Sequence, residues 1–171
     1  PLRIGLFGAI RPLKNFMTAA AAALAIHVEM RVPVELHMSA SGEGNGGDVK
    51  RAIDQMVKDV PGFKLITHVW RPWQEFIKVV AEMDLLLQPS YTESFNMITA
   101  DGISVGVPSV VSEAITWAPD YWKADSDTAL DIAAVGIDLL VRPDVIDDGV
   151  EALRRQNRMG VENWKKYLLQ I

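Results

Sequence analysis

The chain has 171 residues, of which 49% are hydrophobic and 23% charged, and its 17 basic and 22 acidic side chains give a formal net charge of −5. This length and balance are typical of one folded globular domain and exclude wholesale disorder. The acidic charge excludes a basic protein that coats nucleic acid. The lack of cysteine excludes disulfide scaffolds, thiolate zinc sites and cysteine nucleophiles.

No targeting or membrane segment is evident in the sequence. The longest apolar run, residues 16–26, is shorter than the ~18 residues that a membrane span needs. No leader with a basic start and a small-residue cleavage site opens the chain, so we expect a cytoplasmic location, or at most a peripheral association with a membrane. Because the chain begins at Pro1 rather than at methionine, we expect residues 1–171 to be a single domain excised from a longer protein.

Five short apolar segments alternate with segments of helical character. The predicted strands cover residues 2–7, 34–38, 63–69, 84–89 and 108–112. The predicted helices cover residues 16–30, 49–60, 73–83 and 95–105, followed by a helical C-terminal tail from about residue 127 that is broken near Gly136, Pro143 and Gly149. This alternation predicts an α/β fold, a Rossmann-like doubly wound parallel sheet of about five strands with helices on both faces. In such sheets ligands bind outside the carboxyl ends of the strands, so we expect functional residues in the loops there.

The loop after the first predicted strand combines a glycine with two cations. Gly8 permits a tight turn, and Arg11 and Lys14 lie just before the helix that Asn15 is expected to cap. Fixed positive charge beside the free N–H groups of a helix N-terminus suits a phosphate or diphosphate. The alternative is that both cations are ordinary solvated surface side chains.

A second loop, residues 42–47, has the G-x-G-x-x-G spacing of dinucleotide-binding proteins. It follows the second strand rather than the first, and the next strand ends in His68-Val69-Trp70 rather than in an acidic residue for the ribose. We therefore interpret residues 42–47 as a flexible loop. A dehydrogenase-type domain is the least favoured functional hypothesis.

The loop after the fourth predicted strand places a carboxylate beside another helix N-terminus. Glu93 lies in the loop, Ser94 is the expected N-cap, and the N–H groups of Phe95, Asn96 and Met97 are expected to be free in the first turn. A carboxylate repels a bare phosphate but accepts hydrogen bonds from hydroxyl groups. The loop therefore fits a ligand that carries both phosphate and hydroxyls.

Asp101 and the histidines are open to structural as well as functional interpretations. Asp101 lies in an apolar stretch two turns beyond Glu93 and needs a partner if it is buried. Taken singly, Glu93 would be interpreted as a glutamate that interacts favourably with the dipole of the following helix. Asp101 would likewise be interpreted as part of a solvated helix face. The three histidines show no metal-ligand spacing, and we interpret His37 and His68 as core or sheet-edge residues.

The motifs that follow one another from residue 89 onward resemble those of a known family. They are Pro89-Ser90, then Glu93-Ser94-Phe95-Asn96 continuing to Asp101, then Gly106-Val107-Pro108-Ser109-Val110-Val111. This order resembles the signature of the group 1 retaining glycosyltransferases, with P-S, an E-x7-E element opening E-(S/G)-F-G, and G-x-P-V-(V/I). Gly8 with Lys14-Asn15 and the glycines of residues 42–44 resemble two earlier motifs of the same family. The resemblance covers residues 2–115 and corresponds to the C-terminal, donor-binding half of the two-domain GT-B fold.

The resemblance implies a nucleotide diphosphate sugar as substrate, with no cofactor and no metal. Lys14 and the backbone N–H groups of residues 95–97 would contact the donor diphosphate, and Glu93 would accept from sugar hydroxyls. Glu93 and Lys14 would be the catalytic residues. Asp101 would take the place of the glutamate that holds the ribose. The implied donor-binding residues are Gly8, Arg11, Lys14, Glu93, Ser94, Phe95, Asn96, Met97 and Asp101. The acceptor would be bound by an N-terminal domain that this chain does not include.

Four positions depart from the family pattern. Ala9 stands where an arginine is usual, Trp70 where a small residue is usual, Asn96 in place of a glycine, and Asp101 in place of a glutamate. These departures support an alternative hypothesis, in which the chain is a non-catalytic module that keeps the fold and has lost the donor. Measured donor binding separates the two hypotheses.

Overall fold

The computed structural model describes residues 1–40 and 46–169 and contains the five predicted strands. They are β1 (Leu2–Leu6), β2 (Val34–Ser39), β3 (Phe63–His68), β4 (Leu85–Gln88) and β5 (Ser109–Val111). All neighbouring strands pair in parallel, in the order β3-β2-β1-β4-β5. The predicted Rossmann-like parallel sheet is therefore confirmed. Of the glycine-rich loop at residues 42–47, residues 42–45 lie outside the described residues, and Gly46 and Gly47 open a helix.

The helices connect the strands and form the C-terminal tail. They are α1 (Phe16–Met30), α2 (Gly46–Val57), α3 (Trp73–Val80), α4 (Met97–Ser104), α5 (Ala129–Val141) and α6 (Val145–Leu168), with short 3-10 helices at Pro12–Lys14 and Asp120–Trp122. Within the described ranges, no helix has the length and apolar character that crossing a membrane requires.

Some predicted helix boundaries are wrong, for local reasons. The third helix ends at Val80 rather than at residue 83, because Glu82 and Met83 donate to the carbonyls three residues back and turn the chain into β4. The tail breaks at Pro143, as expected, but Gly136 and Gly149 lie inside helices. Their lack of a Cβ allows close packing, since a Cβ on Gly149 would lie 2.7 Å from the buried indole of Trp122.

Alternating residues of β4 face two cores on opposite sides of the sheet. Leu85 and Leu87 belong to the larger core, which includes residues of α1 and α5. Leu86 points the other way, into a smaller core with Phe7, Val80, Met83 and Val107, against which residues of α3 and α4 pack. Because successive side chains of a strand point to opposite faces, a strand buried on both sides is apolar throughout. This explains the unbroken Leu85-Leu86-Leu87 run.

The strand order reverses between β1 and β4. β2 and β3 lie on one side of this pair and β5 on the other, and Ile4 and Gly5 of β1 pair with Leu85 and Leu86 of β4. In an open parallel sheet such a reversal opens a crevice at the carboxyl ends of the two central strands. The fold therefore brings the two motif-bearing loops, after β1 and after β4, to the same crevice.

Candidate functional site

The loops that follow β1 and β4 meet through an ion pair between Lys14 and Glu93. Lys14 Nζ donates to Glu93 Oε2, although 79 residues separate the two in sequence. The side chains are 27% and 12% exposed, respectively. Partial burial reduces screening by water and salt, so this pair is held more firmly than a surface pair. The cation and the carboxylate singled out in two separate motifs thus form one unit.

This ion pair lines an open depression of about 730 Å³ between the two loops. The depression is also lined by Arg11, Pro12, Leu13, Thr92 and Ser94. Its volume lies within the ~300–1,000 Å³ typical of small-molecule sites. Arg11 is exposed and forms no ion pair with a residue that the structure describes. An anion in the depression would therefore meet two cations. Arg11 has no ion-pair partner among the described residues, and Lys14 is paired with Glu93.

The N-cap of α4 is Asn96, and the prediction that Ser94 caps this helix is wrong. Asn96 has a φ of 65°, a left-handed conformation that asparagine tolerates better than most residues, and its Oδ1 accepts from the backbone N–H of Thr99. Ser94 is exposed and lies before the helix. Phe95 also precedes the helix and stacks on Trp117 with ring centroids 5.2 Å apart.

The backbone N–H groups of residues 95–97 make no hydrogen bond to any described residue. The helix begins two residues later than predicted, so only Met97 of these three residues belongs to its first turn. Met97 is 63% exposed, whereas Asn96 is buried. The structure therefore leaves these donors without a protein partner in the described chain, but arranges them differently from the prediction.

A chain of hydrogen bonds runs inward from Glu93 to the end of β1. Asn96 Nδ2 donates to Glu93 Oε2 at 3.3 Å and to Gln88 Oε1 at 3.1 Å. Gln88 Nε2 in turn donates to the carbonyl oxygen of Phe7 at 3.1 Å. Asn96 and Gln88 are each only 4% exposed. Gln88 was not predicted as a site residue, although a glutamine that ends a run of three leucines is a signal of a buried polar contact.

Two residues of the first loop hold it in place. Gly8 has a φ of 119°, which favours glycine, and its N–H donates to Ser39 Oγ at 3.1 Å. Asn15 is the N-cap residue of α1, as expected, but its side chain does not cap the helix. Instead, Asn15 Nδ2 donates to the carbonyls of Pro89, at 3.2 Å, and Ser126, at 2.7 Å. It therefore ties the first loop to the loop after β4.

Asp101 has a partner that the sequence did not reveal. It is half-buried, and its Oδ1 accepts from the indole N–H of Trp73 at 3.1 Å. Trp73 is 56% exposed and Trp70 is 85% exposed. Asp101 does not line the depression beside Lys14 and Glu93. The structure thus places Asp101 beside the start of α3, where one of its oxygens accepts from Trp73.

His37 and His68 form a pair on the neighbouring strands β2 and β3. His37 Nδ1 and His68 Nε2 are 2.9 Å apart, and the rings are stacked with centroids 5.1 Å apart. Burial lowers the pKa of both histidines below their ordinary value. Across the described parts of the chain, no group of three or more histidine, aspartate or glutamate side chains could hold a metal ion.

No protein-family model and no curated protein matches this sequence. Solved structures do match its fold. The C-terminal domain of the glycosyl transferase group 1 family protein LpcC from Francisella tularensis superposes with a TM-score of 0.76 at 16% identity, covering 91% of this chain and 86% of that one.

Trehalose-phosphate synthases also match. A UDP-forming enzyme from Burkholderia xenovorans has a TM-score of 0.73 at 10% identity and covers 98% of this chain. The Escherichia coli enzyme bound with UDP-2-fluoro glucose has a TM-score of 0.71 at 12% identity and covers 99% of this chain. This chain spans 43% of the length of each of these two enzymes. Identities this low show the fold alone, and this chain shares that fold with the C-terminal domain of LpcC and with part of the trehalose-phosphate synthases.

Proposed function

We propose that this chain is the donor-binding domain of a retaining glycosyltransferase and that it binds a nucleotide diphosphate sugar between the loops after β1 and β4. The observation that carries the proposal is the Lys14–Glu93 ion pair at the point where the strand order reverses. A donor of this class needs positive charge for its diphosphate and acceptors for its hydroxyls. One cation and one carboxylate side by side offer both to a single ligand.

Lys14 can serve the diphosphate without leaving Glu93. An ammonium group has three donors, and the pair with Glu93 uses one of them. The remaining donors, together with Arg11 and the N–H groups of residues 95–97, would stabilise the negative charge that develops on the leaving diphosphate. Glu93 Oε2 already accepts from Lys14 and Asn96, which leaves Oε1 for a sugar hydroxyl.

The activity of a full transferase also needs a second domain, and we propose that a longer parent protein supplies it. The proposal is supported by the trehalose-phosphate synthases, which are more than twice as long as this chain. It is further supported by large exposed apolar side chains in the distal part of α6, at Met159, Trp164, Tyr167 and Leu168. The second domain would close the crevice and bring the acceptor to Glu93.

A calorimetric titration against UDP, GDP, ADP, their glucose or mannose derivatives and NAD tests the proposal. We expect one nucleoside diphosphate to bind, and Lys14→Ala to weaken it by about tenfold or more through loss of a charge-assisted hydrogen bond. The matched control is Lys58→Ala, which removes an exposed lysine beyond α2. Glu93→Gln should weaken the sugar nucleotide more than the free diphosphate. Unchanged binding in both site variants would overturn the proposal.

A non-catalytic module with the same fold is the second candidate, and Asp101 favours it. Asp101, which was expected to hold the ribose, does not line the depression beside Glu93, and one of its oxygens already accepts from Trp73. Absence of binding to every nucleotide in the panel would support this candidate. Preference for NAD over all nucleotide sugars would instead support a dinucleotide-binding domain.

A further inference from the structure

We propose that Asn96, supported by Gln88, is a positioning residue for Glu93. It fixes Oε2 of the carboxylate, so that Oε1 is the oxygen presented to a sugar hydroxyl. This inference rests on the proposed function, because it concerns how the same site distinguishes a sugar nucleotide from a free diphosphate. It assigns a role to the side chain of Asn96, which the resemblance implied only as a backbone contact.

The orientation of the Asn96 amide follows from the groups that surround it. The backbone N–H of Thr99 can only donate, so the atom 2.9 Å from it is Oδ1. An ionised Glu93 can only accept, so the atom facing its Oε2 is Nδ2. Gln88 is oriented in the same way, because the carbonyl of Phe7 can accept only from its amide nitrogen. Asn96 therefore donates both to Glu93 and to Gln88, and Gln88 donates onward to Phe7.

Both amide hydrogens of Asn96 are used. One is directed to Gln88 Oε1 and the other to Glu93 Oε2, which also accepts from Lys14. No hydrogen bond from a described residue reaches Glu93 Oε1. Two donors on one carboxylate oxygen restrict rotation of the carboxyl group, whereas a single lysine on a flexible stem leaves it freer to turn.

An N-capping role alone does not account for this arrangement. The cap uses only Oδ1, and the carboxylate oxygen of an aspartate would supply the same acceptor. The bonds to Gln88 and Glu93 require an amide nitrogen at this position. Because Asn96 and Gln88 are buried, a missing donor there would leave the Gln88 oxygen without a partner. The amide therefore links the capped helix to the carboxylate of the site.

The decisive variants are Asn96→Asp, which keeps the capping oxygen and loses both donors, and Asn96→Gly, which keeps the positive φ and loses the side chain. Because Asn96→Asp also places a second buried carboxylate against Glu93 Oε2, we expect it to lower both the melting temperature and sugar-nucleotide affinity. Asn96→Gly introduces no charge and adopts the positive φ without strain, so it is the variant that isolates the loss of the two donors. The control is Ser112→Ala, which removes a buried hydroxyl bonded to the carbonyl of Ser90, outside this chain of bonds.

Calorimetry with UDP-glucose, GDP-mannose and ADP-glucose, beside the corresponding diphosphates, measures the effect. In Asn96→Gly we expect affinity for the bound sugar nucleotide to fall by about tenfold and affinity for its free diphosphate to change by less than about threefold. In a Glu93→Ala background, the same substitution should change sugar-nucleotide affinity by less than about twofold. An equal loss with and without Glu93, or an equal loss for the diphosphate, would overturn the inference.

A readout without ligand keeps this inference separate from the proposed function. In nitrogen-15 spectra, the side-chain amide protons of Asn96 should exchange slowly, and Glu93→Ala should speed their exchange while Ser112→Ala does not. If no nucleotide binds, the proposed donor site is wrong, and the link between Asn96 and Glu93 is judged on this exchange alone. Exchange that Glu93→Ala leaves unchanged would overturn it.

Discussion

The side chain of Asn15 donates to the backbone carbonyl of Pro89, so the residue that follows Lys14 is bonded to the loop that carries Glu93. The same amide also donates to the carbonyl of Ser126, in the segment before α5. One buried asparagine thus holds three separate segments at the carboxyl edge of the sheet. Its φ of 58° places the amide between them.

Replacing Asn15 should destabilise the fold through two effects that can be separated, the loss of hydrogen bonds and strain at a left-handed φ. We expect Asn15→Ala to lower the free energy of unfolding by about 3 kcal/mol, because it loses two hydrogen bonds and places alanine at a left-handed φ. Asn15→Gly, which adopts that φ without strain, should lose about 1–2 kcal/mol. Urea unfolding of the two variants measures the difference. Equal losses would mean that the backbone conformation contributes nothing.

The Lys14–Glu93 pair should contribute measurably to stability. In a double-mutant cycle with Lys14→Met and Glu93→Gln, we expect a coupling free energy of about 1–2 kcal/mol, because both side chains are largely shielded from water. The matched control is the exposed pair Arg142–Asp138, whose coupling should be about 0.5 kcal/mol or less. Similar couplings for the two pairs would show that burial does not strengthen the Lys14–Glu93 interaction.

Gly102 should tolerate no side chain, although it lies in a helix. A Cβ there would lie 2.7 Å from Leu86 Cδ1 and 2.8 Å from the carbonyl oxygen of Val107, which is backbone and cannot rotate away. We expect Gly102→Ala to lower the free energy of unfolding by about 1–3 kcal/mol. Gly160→Ala is the control, because its Cβ would meet nothing within 4 Å. It should stabilise α6 by about 0.5–1 kcal/mol, and a loss there would contradict the packing argument.

The His37–His68 pair should make stability depend on pH. Burial is the main cause that holds the pKa of both residues below the ordinary 6.5, and the neighbouring histidine adds to it for His68. Arg3 and Arg71 also lower these pKa values, while Glu35 and Glu82 oppose the shift.

The unfolded chain therefore binds more protons than the folded one as the pH falls below 6.5. The stabilisation is complete above that pH and is lost as the pH falls toward the folded-state values. We expect the free energy of unfolding to decrease between about pH 7.5 and pH 5.5, and this decrease to become smaller in the double variant His37→Gln/His68→Gln. His27→Gln removes a histidine without touching the pair and serves as the control. An unaltered slope in the double variant would contradict the assignment.

The sequence predicted most of the fold and part of the site. The spacing of apolar residues and the positions of turn residues located the five strands, because both patterns depend only on local sequence. They misplaced the start of α4, since a serine and an asparagine two residues apart are both good caps and tertiary contacts decided between them. Lys14 and Glu93 were singled out as separate charges. Their pairing depends on the strand order, which the alternation of strands and helices does not specify.

Contacts between side chains that are far apart in the sequence could not be predicted, for the same reason. Nothing near Asp101 in the sequence points to Trp73, which lies 28 residues away on another helix. The bond between His37 and His68 requires β2 and β3 to be adjacent in the correct register, with Ser39 opposite His68. The inward turn of Asn96 depends on its positive φ, which asparagine permits but does not require.

The pairing of β1 with β4 also governs when the site can exist during folding. Ile4 pairs with Leu85 across about eighty residues of intervening chain, so this contact closes a long loop and carries a high entropic cost. A partly folded chain in which β1 has paired only with β2 lacks the crevice altogether. Any ligand of the crevice would therefore bind only after β1 and β4 have paired, and by mass action it would raise the free energy of global unfolding.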